Sequence, residues 1–232
     1  MSKTHRCHKK EFLLKFSRDR QRWIYWLFEA KHRYGLCVLN YVVTSNHIHL
    51  LVKDTDKDVI SRSLQLIAGR TGQEYNNRKS RKGAYWEDRY HATAVESETH
   101  LFKCLVYMDL NMVRAGVVSH PEDWAHGGYQ EIQNPPKRYR IIDTSVLMEY
   151  CDVCSLASFQ DLHRNWVEDA LQLEPPRMED QWTQSIAVGS KSFVDPVYKA
   201  LGVKGKHRNI FVSVLKKAIL LTMPILLSKW TF

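Results

Sequence analysis

The sequence lacks a long apolar run. Its longest, Ala218 to Leu227, is interrupted by Pro224 and lies between Lys217 and Lys229, too short to span a bilayer. No membrane is expected as a partner. The opening residues Met1-Ser2-Lys3-Thr4-His5-Arg6 lead into more charge and no apolar core, so no signal peptide is expected. Cysteine is scarce: five, an odd number without regular spacing. Cys151 and Cys154 form a single C-x-x-C with no second pair, which is too little for a structural zinc site. Free thiols in a reducing cytoplasm fit better. Acidic residues are outnumbered, 25 against 34 Lys and Arg, giving a net charge of +9 and a pI near 9.3. That excess favours a polyanion, nucleic acid before membrane, because no lipid-facing segment accompanies it. What is plentiful is ordinary: 232 residues with 44% apolar content suffice for one domain with a full core plus extensions.

The most informative stretch is Tyr41 to Val52. Its flanks are apolar and β-branched, interrupted by Thr44-Ser45-Asn46, so it reads as two strands joined by a tight turn. On a strand, residues i and i+2 share a face. His47 and His49 therefore project together, and Ile48 faces the other way. Two imidazoles side by side on a rigid strand can ligate a divalent metal. They can equally be two polar residues on an open sheet face.

Taken in order, residues 1–22 carry eight Lys and Arg against two acidic residues. Trp23 to Tyr34 reads as a helix ended by Gly35. Leu36 to Val43 is a strand. After the histidine strand, Asp58 is placed to cap a helix from Val59 to about Asn77. Asn76 to Gly83 holds four basic residues, Arg78, Lys79, Arg81 and Lys82, and reads as a mobile loop suited to phosphate contacts. Ala84 to Val95 reads as a strand whose aromatics, Trp86 among them, either stack on bases or pack in the core. Glu98 to Ala115 is a helix ended by Gly116. Beyond it the chain is loop-rich, then has two helices between Asp143 and about Leu173 and a short one from Val194 to Leu201. The order to Gly116 is helix, strand, strand, helix, strand, helix. One more strand at the start completes a ferredoxin-like α+β sheet.

A second motif lies in the helix Glu98–Ala115. Tyr107 and Asn111 are four apart, so a continuous helix puts them on one face. Beside a metal-bound phosphate, a tyrosine oxygen can attack phosphorus and become covalently attached. Asn111 would offer its amide oxygen to the metal. Two imidazoles and one amide leave positions open for phosphate oxygens, and the set suits Mg2+ or Mn2+, although imidazoles tolerate zinc too. Alternatively Tyr107 is a core tyrosine and Asn111 faces solvent.

Together these residues resemble a known family. His47-Ile48-His49 looks like the HUH motif (histidine, hydrophobic, histidine) of single-strand DNA transposases, and Tyr107 through Val117 looks like their helix with one catalytic tyrosine. Trp86-Glu87-Asp88-Arg89-Tyr90, Asn111 to Val118 and the setting Val38 to Asn46 are similar to the REP-associated tyrosine transposases of bacteria. The resemblance covers about residues 5 to 130, and more loosely to about 205. It implies metal-dependent cleavage of single-stranded or hairpin-bearing DNA through a 5′-phosphotyrosine, rejoining without ATP, and a bacterial cytoplasmic setting. Carried over, His47 and His49 are metal ligands, Asn111 the third ligand and Tyr107 the nucleophile. Arg78, Lys79, Arg81, Lys82, Trp86, Arg89 and Arg114 are the expected DNA contacts. The expected organisation is a catalytic domain over 1–130, a helical extension over 131–209 and an apolar, atypical tail over 210–232, as monomer or homodimer.

Two departures from that family stand out. Met1 to Arg6 lacks apolar alternation, so the first strand is expected to be truncated beside the histidine strand. The apolar tail is unlike a polar family terminus. The missing strand leaves a competing reading, a hairpin-binding protein that has lost its chemistry; a further alternative is a metal-dependent phosphodiesterase on small substrates with Tyr107 structural. The basic loop argues against the latter, since small substrates do not need it.

Overall fold

The computed structural model describes residues 1–87, 90–96, 99–172, 179, 181–201 and 209–212. The chain begins with strand β1 (Ser2–Arg6) and continues through helix α1 (Ser17–Tyr34), strands β2 (Cys37–Val43) and β3 (His47–Lys53), helix α2 (Val59–Arg78) and strand β4 (His91–Val95). Helices α3 (Thr99–Asp109), α4 (Asn111–Arg114), α5 (Gly128–Gln133), α6 (Thr144–Tyr150) and α7 (Leu156–Gln172) follow. Then come α8 (Gln181–Gln184), β5 (Ser185–Gly189), α9 (Lys191–Leu201) and β6 (Asn209–Val212). The strands lie in the order β2-β3-β1-β4-β5-β6. The first four are antiparallel neighbours in the ferredoxin-like arrangement, and β5 and β6 add on in parallel. The fold class expected from sequence is therefore the one found, and the C-terminal extension contributes strands as well as helices. Apart from 210–212, the apolar tail lies outside the described residues.

The first strand is complete, contrary to the expectation of truncation. β1 pairs with β3 from Ser2↔Leu51 to Arg6↔His47 and with β4 from Ser2↔Thr93 to Thr4↔His91. It needs no apolar alternation because neighbours on both edges satisfy its backbone groups. Its side chains bury through specific contacts. His5 stacks on Trp86 with ring centroids 4.0 Å apart, and the Lys3 amine lies 4.9 Å from the Tyr90 ring. Burial lowers the Lys3 pKa to about 8.

Helix α1 buries Trp23, Trp26, Leu27 and Ala30, spaced to form one stripe. It ends where Gly35 takes a φ of +71° and returns its N–H to the Lys31 carbonyl at 2.9 Å. Asp58 makes no side-chain cap on α2 and instead adopts a left-handed φ of 64°, its carbonyl accepting from Arg62 N–H. The segment from Ala84 forms regular strand only from His91 to Val95, because Tyr85 and Trp86 turn into the core beneath α2.

Alternation then sorts the sheet. Ile48, Leu50 and Val52 face the layer of α1 and α2 within one apolar cluster. His47, His49 and Leu51 face the other way, with their cross-strand partners Arg6, Thr4, Ser2, Val42 and Asn40. Helix α3 covers this second face: the Asn40 amide donates to the Leu105 carbonyl at 3.3 Å and to Asp109 at 2.9 Å. Behind it, Asp109 meets His163 of α7 at 2.8 Å, and His163 meets Gln133 at 2.9 Å. Gly128 is required here, since a Cβ at that position would collide with the Asn40 side chain and Ile142.

Candidate active site

The turn before β3 is built by Thr44. Its N–H reaches the His47 carbonyl at 2.9 Å, and its hydroxyl engages both the N–H and the carbonyl of His47, at 3.1 and 2.9 Å. This delivers two imidazoles with centroids 5.0 Å apart and planes at 88°. Each has its Nδ1 occupied. His47 Nδ1 contacts Asn46 Oδ1 at 2.8 Å and the Thr44 hydroxyl at 3.0 Å; His49 Nδ1 contacts the Thr4 hydroxyl at 3.1 Å. An amide oxygen only accepts, so His47 carries its proton on Nδ1 and keeps the Nε2 lone pair free. Outer oxygens that orient metal-binding imidazoles work in the same way. Burial, with the Arg6 charge second, lowers the His47 pKa to about 4. Burial, then the charges of His47, Arg114 and Arg6, holds His49 well below its ordinary value. Both rings are thus neutral near pH 7, the ligand-competent form.

Tyr107 sits on the covering helix and is 6% exposed. The Arg114 guanidinium lies 3.8 Å from its ring centroid and donates to its backbone carbonyl at 2.6 Å. The Arg114 charge is also among the causes that lower the His49 pKa. Burial raises the phenol's pKa, and the Arg114 charge opposes that rise. The Trp182 ring is 6.2 Å away.

The continuous helix expected from Glu98 to Ala115 is broken. α3 stops at Asp109, Leu110 takes φ −77° and ψ 5°, and α4 begins at Asn111. At the break Arg114 donates to the Tyr107 carbonyl, an acceptor that an unbroken helix gives to the N–H four residues on. Asn111 is therefore placed by the break rather than by i,i+4 spacing, and it is partly exposed. Among the described residues, no third His, Cys, Asp or Glu side chain joins the histidines.

The expected DNA contacts divide. The basic stretch is not a free loop. Arg78 belongs to α2 and pairs with the buried Asp19. Arg81 donates to the Ala84 carbonyl at 2.9 Å and faces Glu11 at 3.4 Å. Lys79 and Lys82 point to solvent. The Trp86 indole N–H donates to the Ala68 carbonyl at 3.0 Å and one ring face is taken by His5, so its main use is packing. Arg114 is occupied with Tyr107. Arg89 lies outside the described residues. Sequence reasoning missed Thr4 and Asn46 as imidazole partners. Asn46 was legible as the neighbour of His47; Thr4 needed the register of β1.

Residues 5–108 match the family model described as the IS200-like transposases. Over that stretch the chain is similar to the IS200-like transposases. A solved structure of a REP-associated tyrosine transposase bound to a REP hairpin is similar at 16% identity and a TM-score of 0.48. That likeness covers 61% of this chain and 86% of the other. No curated protein matches the chain. Among the described residues, no helix is long and apolar enough to cross a membrane.

Proposed function

We propose that the domain is a REP-associated-type strand transferase, cutting and rejoining single-stranded DNA that bears a hairpin, with Tyr107 as nucleophile. His47 and His49 would hold Mg2+ or Mn2+ through Nε2, with Asn111 as third ligand. Bound there, the ion would supply Lewis-acid polarisation of the scissile phosphate. The observation that carries this reading is the imidazole pair itself: neutral, with Nδ1 engaged on both rings, on the sheet face that the tyrosine helix covers. In the reaction, the Tyr107 oxygen forms a bond to phosphorus as the bond to the 3′-oxygen breaks. The phenolic proton is lost and the 3′-oxygen gains one, leaving a 5′-phosphotyrosine and a free 3′-hydroxyl. Attack by a 3′-hydroxyl reverses the step. Arg114 holds the ring in place and, as a cation on its face, favours the phenolate.

The test is incubation with hairpin-bearing single-stranded DNA and manganese, followed by a denaturing gel and mass analysis of the DNA-linked peptide. A linked peptide containing Tyr107 is the expected result. A second reading, hairpin binding without cleavage, draws on the closed surroundings of Tyr107, whose ring is covered by Arg114 and faces Trp182. DNA binding with no adduct would select it.

A further inference from the structure

We infer that the loop over residues 7–16 is a platform for the single-stranded part of the DNA, where Phe12 and Phe16 stack unpaired bases beside the histidine pair. This rests on the proposed function and adds where the substrate strand runs. The loop is fixed to the turn that leads into His47. Cys7 N–H donates to the Asn46 carbonyl at 2.7 Å and Leu14 N–H to the Ser45 carbonyl at 2.9 Å. The Asn46 side chain returns a bond to the Lys10 carbonyl at 3.2 Å. Within Phe12-Leu13-Leu14-Lys15-Phe16, the two leucines are buried and plug the core, while Phe12 is 64% and Phe16 57% exposed. Two large rings held in water on an anchored loop are an apolar surface without a covering partner among the described residues.

The surroundings say which partner. The Lys15 amine lies 6.0 Å and the Lys79 amine 5.8 Å from the Phe16 ring centroid, from two different elements. Lys9 and Lys10 are exposed and held at φ of 50° and 59°, left-handed conformations that non-glycine residues rarely keep unless the surrounding structure imposes them. The one acid of the loop, Glu11, faces Arg81 at 3.4 Å, so its charge is offset. Aromatic faces interleaved with cations suit a single strand, whose bases offer free π-faces and whose phosphates follow the lysines. A duplex keeps those faces stacked. A protein partner is disfavoured, since lysine is depleted from protein interfaces.

The experiment measures, by anisotropy, the affinity of the full chain for two labelled oligonucleotides: a blunt hairpin and the same hairpin with a single-stranded flank. In Phe12→Ala/Phe16→Ala, affinity for the flanked hairpin should fall by at least about fivefold per ring, with the blunt hairpin unaffected. Phe12→Trp/Phe16→Trp should keep the parental preference. Because both rings lie in solvent, the melting temperature should not change. Equal losses on both oligonucleotides, or none, overturn the platform. So does conversion of a dimer to a monomer in the alanine variant with DNA affinity intact. If the parent binds neither oligonucleotide, the transposase reading fails and the platform falls with it. If the parent binds the flanked hairpin and forms the Tyr107 adduct while the alanine variant keeps the preference, the platform alone is wrong.

Discussion

Replacing His163 by Ala should destabilise the protein by about 3 kcal/mol. The magnitude comes from its surroundings. The His163 side chain is 0% exposed and its partner Asp109 1% exposed, at 2.8 Å. His163 also contacts Gln133 at 2.9 Å. Truncation leaves the buried Asp109 oxygen without its partner and opens a cavity against Phe159 and Tyr129, whose ring centroids lie 6.0 and 5.3 Å from that of His163. Breaking one side of a buried hydrogen-bonded pair costs roughly 3–5 kcal/mol. The remaining Asn40 contact to Asp109 keeps the estimate at the low end. In urea, at a slope of about 3 kcal/mol per molar for a chain this long, the midpoint should fall by on the order of 1 M. A cycle with Asp109→Asn should give strong coupling, the double variant costing much less than the sum of the singles. Because Asp109 ends the helix that carries Tyr107, the variant should also form less DNA adduct per folded molecule. A loss below about 1 kcal/mol, or additive singles, would refute the idea that this buried chain of contacts locks the tyrosine helix onto the sheet.

Other outcomes follow from the same geometry. Tyr107→Phe removes only the phenolic oxygen, so binding and melting should persist while the DNA adduct disappears; an adduct in this variant would point to another nucleophile. His47→Ala should abolish cleavage and weaken manganese binding in calorimetry with the fold intact, and chelation of divalent metal should abolish cleavage in the parent. Folded-state His47 and His126 are both lowered from 6.5 to about 4, mainly by burial, so the unfolded chain binds more protons between those values. Their contribution to stability is complete above about pH 6.5 and lost as pH falls through about 4, and urea midpoints taken from pH 7.5 to 4.5 should decline accordingly, less steeply in His126→Asn. Lys79→Ala/Lys82→Ala should flatten the salt dependence of DNA binding by about two units of slope at most, whereas Arg78→Ala, which strips the buried Asp19 of its partner, should act on the melting temperature instead.

The parts of the fold legible in the sequence were those where local pattern and tertiary structure agree. The stripe of α1 with its terminal glycine, the hairpin with two histidines on one face, and the helices from Thr144 to Gln172 all follow from periodicity and turn residues. β1 was not legible because its strand character comes from its neighbours. Ser2, Lys3 and His5 are buried, yet none signals burial alone; β3 and β4 impose it. β5 and β6 lay hidden for a related reason, since they extend a sheet edge that only the folded core provides. The basic stretch misled in another way. Charge composition predicts phosphate contacts, but it cannot show that Arg78 and Arg81 already have acidic partners 59 and 70 residues away.

The break between α3 and α4 joins these strands of reasoning at the candidate site. A continuous helix would give the Tyr107 carbonyl to the N–H of Asn111 and fix the two side chains one turn apart. In the folded chain Arg114 takes that carbonyl and lays its guanidinium on the tyrosine ring. One side chain thereby spans the break between α3 and α4 and covers the face of Tyr107. Two residues on, Gly116 adopts a φ of +66°, where the chain turns away after Arg114. A lysine in place of Arg114 keeps the charge but loses the planar fork that bonds the carbonyl while stacking on the ring. Arg114→Lys should therefore bind DNA much as the parent does and still slow adduct formation at saturating DNA, separating a positioning role for Arg114 from a simple phosphate contact.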